Sequence, residues 1–185
     1  MSMFSQVSEA KKGKFVAGCE TTNDILGPFY RPGAPVRTNL LFDNLEGTQI
    51  HIKGQVFGDD CKTALEKASV ELWHCDSKGN YDNNSQAFLH RATNFTTKDG
   101  AYSFKTIIPG KYLNGRLYRP AHLHFMVKAE GYKTLISQVY FEGDPHITED
   151  PWASKPKAMH RILPVFPDDI ESNLSIAFDI SLEKA

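Results

Sequence analysis

Apolar and polar residues alternate in short segments along most of this 185-residue chain, and turn-forming residues end most of these segments. The clearest segment is NLSIAFDISL (residues 173–182), in which a large apolar residue occupies every second position. This period places alternate side chains on opposite faces of a β-strand, whereas an amphipathic helix repeats its apolar residues about every 3.6 positions. The pattern favours half-buried strands and argues against a mainly helical protein.

Further segments have the alternation or the composition of strands, and they occupy residues 48–57, 69–75, 90–97, 101–108, 121–130 and 134–142. The KDG turn at residues 98–100 predicts that its two flanking segments form a hairpin. Residues 109–120 are predicted to form a loop that ends at Pro120. Many short strands, frequent turns and no convincing amphipathic helix predict an all-β sandwich or barrel.

Length and composition are those of one folded domain, with 41% hydrophobic and 23% charged residues. Residues 1–24 are polar and lack periodicity, which predicts a loose N-terminal arm before a domain of residues 25–185. The formal net charge of -1 gives no reason to expect nucleic acid or a membrane as partner. No apolar run suits a membrane span or a signal peptide, so a cytoplasmic location is expected unless a leader has been removed.

The three cysteines are Cys19, Cys61 and Cys75. An odd number without a CxxC spacing argues against both a disulfide framework and a zinc–thiolate site. We therefore expect three free thiols.

The stretch RPAHLHF (residues 119–125) holds two histidines two positions apart. On a strand, His122 and His124 project from one face, and Leu123 and Phe125 project from the other. An H-x-H pair alone is a weak indication of a metal site, because such a site usually needs two more ligands. A carboxylate from EGD (residues 142–144) is one possible source, and periodicity does not choose among the candidates.

Four segments resemble motifs of the intradiol ring-cleavage dioxygenases, the ferric enzymes that open catechols between the two hydroxyls. The segments are LGPFYRPGAP, VELWHCDSKGNYDN, AYSFKTIIPGKY and LYRPAHLHFMVKAEGYKTLISQVYFEGDP. They follow one another in the family's order over roughly residues 25–145. The chain is identified as a member of this family, which implies a single-domain β-sandwich of mainly antiparallel strands, with long loops forming the metal site.

The resemblance implies one Fe(III) per chain, held by Tyr81, Tyr112, His122 and His124. Phenolate oxygen is a hard anionic donor that suits ferric iron. Two tyrosinates and one hydroxide would balance its three positive charges inside a poorly solvated site. Two neutral imidazoles add donors without adding charge.

The resemblance also implies the reaction and three further roles. A catecholic ring is cleaved by O2 between its hydroxyl-bearing carbons to give a cis,cis-muconate-type diacid. Tyr112 leaves the iron and accepts a proton when the catechol binds. The charge of Arg119 stabilises anionic species, and the amide of Gln138 orients oxygen or substrate. Arg119 has the opposite strand parity to the histidines, but Pro120 interrupts that regularity.

Several alternatives stay open from the sequence. One alternative to a dioxygenase is a non-catalytic β-sandwich binding module. The other is a zinc or copper enzyme that uses the H-x-H pair. Catechol, hydroxyquinol, protocatechuate and substituted catechols are all candidate substrates. Only about two dozen residues precede LGPFY, too few for the helical dimerisation region of the better-known catechol enzymes, so a homo-oligomer is expected to form by another route.

Overall fold

A computed structural model describes residues 19–43, 45–168 and 173–185. Strands dominate the described residues, as the all-β prediction requires, and a 3-10 helix at Pro156–Arg161 is the helix among them. The strands are β1 Gln49–Phe57, β2 Ser69–Trp73, β3 Arg91–Phe95, β4 Ala101–Ile107, β5 Tyr112–Asn114, β6 Leu117–Arg119, β7 His122–Lys128, β8 Leu135–Phe141, β9 Ile162–Leu163, β10 Phe166–Asp168, β11 Asn173–Ala177 and β12 Ile180–Ser181.

Ten of the described strands form two sheets. The front sheet has the order β3-β2-β7-β8-β9, and the back sheet has the order β10-β11-β1-β12, with β4 also paired to β1. The short pair β5–β6 stands apart from both sheets. Most neighbours are antiparallel, as predicted, but β1 runs parallel to β11 and β12, and β8 runs parallel to β9.

The main hydrophobic core lies between the two sheets. Leu72 and Phe125 of the front sheet and Ile52 and Phe104 of the back sheet all belong to it and are fully buried. They come from the apolar positions of their alternating segments. Burial of one such side chain contributes about 1.5–3 kcal/mol relative to leaving it exposed.

The predicted hairpin of residues 90–97 and 101–108 is wrong. The chain does reverse there, with the Thr97 amide donating to the Ala101 carbonyl at 3.0 Å. However, β3 pairs with β2 in the front sheet, whereas β4 pairs with β1 in the back sheet. The KDG turn therefore carries the chain from one sheet to the other. A local turn motif predicts that the chain reverses, but it does not predict which strand each flanking segment pairs with.

The predicted loop over residues 109–120 is also wrong in part. It contains the hairpin of β5 and β6, in which Asn114 pairs with Leu117 across a turn at Gly115 and Arg116. Gly115 has a φ of +66°, which suits a tight hairpin turn. The Asn-Gly pair was the local signal that could have predicted it.

The last predicted strand divides into β11 and β12. The break falls where the chain passes β1, and a Cβ atom on Gly54 would lie only 1.9 Å from the Phe178 carbonyl oxygen. At the break, the Asp179 carboxylate accepts a hydrogen bond from the backbone amide of Gln55 at 3.0 Å, in place of a backbone carbonyl. Alternation alone does not reveal an interruption that depends on a glycine in another strand.

The expectation of three free thiols is wrong, because Cys19 and Cys61 form a disulfide with their Cα atoms 6.1 Å apart. The two residues are 42 positions apart, so no short spacing motif could indicate the pair. Cys75 is a buried free thiol. Disulfides are typical of oxidising compartments, which weighs against the expected cytoplasmic location. That location stays a prediction.

Of the predicted loose arm (residues 1–24), residues 1–18 lie outside the described residues. Residues 19–24 are described and contact the sandwich. The Thr21 amide donates to the Ser181 carbonyl at 2.9 Å, and the Asp24 amide donates to the Ile136 carbonyl at 2.8 Å. In the described part of the chain, no helix is both long and apolar enough to cross a membrane.

Removal of the disulfide should destabilise the sandwich by about 2–4 kcal/mol, because the bridge restricts a long loop in the unfolded chain. Denaturant unfolding of the wild type with and without reductant measures this difference. The Cys19→Ser/Cys61→Ser variant is the control, and its unfolding should not respond to reductant. A wild type whose unfolding midpoint ignores the reductant would show that the bridge does not contribute.

Candidate metal centre

The face of the front sheet that is turned away from the core carries several buried polar side chains, among them His122, His124 and Gln138. His122 and His124 lie on this face of β7, while Leu123 and Phe125 belong to the core, as the strand parity predicted. Across the ladder, His124 pairs with Gln138 of β8. Both histidines are only 1% exposed, so other segments of the chain must shield this outer face from water.

Tyr81 reaches this face from the loop that follows β2. The Asp76 carboxylate accepts a hydrogen bond from the backbone amide of Asn80 at 2.8 Å, which shapes the turn before the tyrosine. After the tyrosine, the Asp82 carboxylate accepts the Leu89 amide at 2.7 Å, and buried Arg91 donates to the Asp82 carbonyl at 2.9 Å. These bonds fix the loop on both sides of Tyr81.

Tyr112 comes from the first residue of β5, and its loop packs directly on the Tyr81 loop. A Cβ atom on Gly79 would lie 2.6 Å from the Lys111 carbonyl oxygen, and one on Gly110 would lie 2.5 Å from the Ser77 carbonyl oxygen. Gly79 also has a φ of +87°, which other residues rarely adopt. The glycine two positions before each tyrosine therefore lets the two loops approach closely enough to share one site.

The four predicted ligands converge. The Tyr81 Oη atom lies 3.1 Å from His124 Nε2 and 3.5 Å from His122 Nε2. The Tyr112 ring is edge-on to the Tyr81 ring, with a centroid distance of 5.9 Å, and its centroid lies 5.6 Å from the His122 ring. Two phenols and two imidazoles thus face a common space on the sheet.

Both imidazoles are neutral. Burial, followed by the nearby Arg119 charge, lowers the pKa of His122 to about 3, and burial lowers the pKa of His124 well below its ordinary value. His122 Nδ1 contacts the Pro120 carbonyl at 2.7 Å, which assigns the proton to Nδ1 and leaves the Nε2 lone pair directed at the site. His124 Nδ1 finds no hydrogen-bond partner among the described residues.

The donors fit a ferric ion. Burial is the main cause that raises the pKa of both Tyr81 and Tyr112 above the ordinary value, so the protein alone does not hold tyrosinates here. A highly charged cation would supply the missing stabilisation. The described residues contain no cluster of three or more His, Cys, Asp or Glu that could bind a metal.

Arg119 ends β6 and enters the site from the β5–β6 hairpin. Its Nη1 atom lies 3.4 Å from His122 Nε2, and its Nη2 atom donates to Gln138 Oε1 at 3.0 Å. Its strand parity relative to the histidines is irrelevant, since β6 and β7 belong to different sheets. At 3% exposure it is not part of a surface ion pair.

Gln138 connects Arg119 to residues 24–29, the covering segment, which lies over the site. Its side-chain nitrogen donates to the Ile25 carbonyl at 2.8 Å, and its oxygen accepts from Arg119. In the same segment, Phe29 stacks on Tyr81 with ring centroids 4.3 Å apart. LGPFYRPGAP was recognised as a motif in the sequence, but Phe29 was not identified, because nothing in the segment indicates that this residue lies over the tyrosines.

The comparisons with known proteins agree with the fold and with these donors. The family described as "Dioxygenase" matches residues 25–184. The chain is 37% identical to catechol 1,2-dioxygenase 2 of Acinetobacter lwoffii over 163 residues, which is 77% of this chain and 58% of that protein. The chain belongs to the intradiol dioxygenase family, whose members are non-haem iron enzymes.

Two further relatives differ in the share of their own length that this chain covers. Identity to the chlorocatechol 1,2-dioxygenase of Rhodococcus opacus is 31%, over 82% of this chain and 67% of that enzyme. The dioxygenase domain of a dioxygenase carbohydrate-binding protein fusion from Streptomyces sp. SirexAA-E superimposes with a TM-score of 0.77 at 30% identity. That match covers 90% of this chain and 99% of the solved one.

The Gly79→Ala substitution should disturb both tyrosines at once, because the new methyl group meets the Lys111 carbonyl. We expect a loss of stability greater than the cost of about 1–2 kcal/mol for a positive φ alone, and weaker metal binding. Gly131→Ala is the matched control, with a φ of +79° and no neighbouring atom within 4 Å. Denaturant unfolding and metal analysis of both variants make the comparison, and equal effects would refute the close packing.

Proposed function

We propose that this chain is a non-haem Fe(III)-dependent intradiol dioxygenase. It cleaves a catecholic ring between its two hydroxyl-bearing carbons with O2 and forms a cis,cis-muconate-type diacid. The observation that carries the proposal is the convergence of Tyr81, Tyr112, His122 and His124 on one buried face, in a member of a family of such enzymes. The chain spans 58% of the A. lwoffii enzyme, so the activity of the whole relative is a proposal here.

These four side chains would hold the iron through two phenolate oxygens and two imidazole nitrogens. Bound Fe(III) would draw electron density from a catecholate and make its ring reactive towards O2. The chain supplies the charge balance, because two tyrosinates offset two of the three positive charges and the neutral histidines add none. Phe29 stacks on Tyr81 and covers one face of its ring, while both tyrosines stay partly exposed.

Tyr112 is proposed to accept a proton from the catechol at its Oη atom. A catechol must lose two protons to bind as a dianion, and a tyrosinate that leaves the metal is a suitable base. The charge and hydrogen bond of Arg119 oppose the burial that raises the pKa of Tyr112. The family resemblance supports Tyr112 as the departing ligand and Tyr81 as the ligand that remains.

Arg119 and Gln138 are proposed to act on the anionic ring. A buried guanidinium with Nη1 directed at the ligand face is a fixed positive charge where negative charge develops. Gln138 holds that guanidinium from the sheet side through its amide oxygen. Its amide is occupied at both ends, which supports orientation of Arg119 more than direct contact with O2.

The substrate class is a ring with two adjacent hydroxyl groups. Relatives include enzymes named for catechol, chlorocatechol and 6-chlorohydroxyquinol, so substituents differ among them. The alternatives of a binding module and of a zinc or copper enzyme lose their basis, since both phenols are placed with the histidines and family membership favours the dioxygenase. Self-association of the chain stays a prediction.

Purified protein should contain about one iron per chain and be red to purple from tyrosinate-to-Fe(III) charge transfer. With catechol bound under anaerobic conditions, Tyr112→Phe should keep a charge-transfer band from Tyr81, and Tyr81→Phe should lose most of its band. Metal analysis and stopped-flow spectra measure both effects. A band that survives in Tyr81→Phe and disappears in Tyr112→Phe would reverse the two roles, and a colourless protein that stays inactive after iron loading would refute the ferric site.

Cleavage of catechol should give a colourless diacid, because the bond between the two hydroxyl-bearing carbons is cut. Product identification by mass spectrometry and ultraviolet absorbance tests this across a panel of catechol, hydroxyquinol, protocatechuate and chlorinated catechols. A yellow semialdehyde, from cleavage beside the diol, contradicts the proposal even if the enzyme is active.

A further inference from the structure

Asp150 is a buried carboxylate that no sequence motif singled out. It lies between β8 and the 3-10 helix and is 1% exposed. Its Oδ2 atom accepts from Arg119 Nε at 2.8 Å, and its Oδ1 atom lies 3.4 Å from Arg119 Nη2. The carboxylate therefore faces one edge of the guanidinium, the edge formed by Nε and Nη2.

The other contacts of the guanidinium leave one of its nitrogens directed at the site. The Trp152 ring lies below the guanidinium plane with its centroid 4.4 Å from the central carbon. Gln138 and the Tyr140 hydroxyl accept from Nη2 at 3.0 and 3.3 Å. Nη1 is the remaining nitrogen, and it is directed at His122 Nε2, 3.4 Å away.

We propose that Asp150 is the positioning residue for Arg119. This role rests on the proposed function, in which Arg119 stabilises the anionic ring. Arg119 already makes a hydrogen bond with Tyr112. Without the carboxylate, the Nε–Nη2 edge loses its charged partner, so the guanidinium would turn further towards the Tyr112 phenolate and withdraw Nη1 from the substrate.

The alternative is that Asp150 only shapes the local turn. Its Oδ1 atom accepts the amides of Trp152 and Ala153 at 3.0 and 2.7 Å, and that capping stabilises the segment in any protein. Asp150→Asn separates the two roles, because asparagine retains an Oδ1 acceptor for both amides and loses the charge that holds the guanidinium.

A double-mutant cycle of Asp150→Asn and Arg119→Leu tests the proposal in the iron-loaded enzyme. We expect Arg119→Leu to lower kcat per bound iron by about a hundredfold, on the scale of a lost electrostatic donor. Asp150→Asn should lower kcat by about tenfold or more, with KM for catechol nearly unchanged. The double variant should be no slower than Arg119→Leu within about twofold, because a positioning residue has no effect once its partner is gone.

Visible spectroscopy gives a readout that does not depend on turnover. A guanidinium released towards Tyr112 should shift the tyrosinate charge-transfer band of resting Asp150→Asn. The matched control is Asp168→Asn, which removes another buried carboxylate, one that contacts His51 and Lys53 of the back sheet. It should lower the midpoint of unfolding and leave both the band and kcat per iron unchanged.

Losses that multiply in the double variant, or an unchanged kcat per iron and an unchanged band in Asp150→Asn, would overturn the positioning role while leaving the proposed function intact. A wild type that binds iron but cleaves no catechol would overturn both. If Asp150→Asn does not fold, Asp150→Glu replaces it, since the added methylene displaces the guanidinium and keeps the charge. It too should lower kcat and show no additional loss in the Arg119→Leu background.

Discussion

Two backbone carbonyls come so close to two glycines that neither glycine has room for a side chain, and the candidate site depends on this packing. Ser77 and Lys111 provide the carbonyls, opposite Gly110 and Gly79. The loops that carry Tyr81 and Tyr112 belong to different parts of the chain and share no strand pairing with each other. Their close approach brings the two phenols to one face of the front sheet, where β7 already presents two imidazoles.

The site also keeps its net charge small although it is buried. Each of its histidines is neutral, its phenols become anions only in the presence of a cation, and its arginine is paired with Asp150. An unpaired charge at such depth would cost several kcal/mol, so each charge there must be matched by another. A second buried pair, Arg161 with Asp24, anchors the covering segment under the same rule. Local charge pairing is thus part of how the outer face of a sheet can be closed to water.

Features that depend on period or on a local motif could be predicted from the sequence. The alternation of residues 48–57 indicated β1, the β-rich composition of residues 121–130 indicated β7, and the parity of His122 and His124 indicated their common face. The resemblance to dioxygenase motifs supplied Tyr81 and Tyr112, which no pattern of spacing would have joined to the histidines. Features that depend on distant contacts could not be predicted in this way. The Cys19–Cys61 bridge, the separation of β3 from β4 into different sheets and the role of Asp150 all arise from residues that meet only in the folded chain.

The arrangement of the back sheet has a consequence for the order in which this protein can form. Strand β1 pairs with β4 about fifty residues later and with β11 and β12 well over a hundred residues later. Contacts between such distant segments require large loops to close first, which is typical of slow-folding β proteins. During synthesis, β1 stays unpaired on its β11 and β12 side until most of the domain has left the ribosome. Until then, its apolar face and its unpaired backbone groups are available to other chains, so concentration and chaperones should influence the yield of this sandwich more than its final stability does.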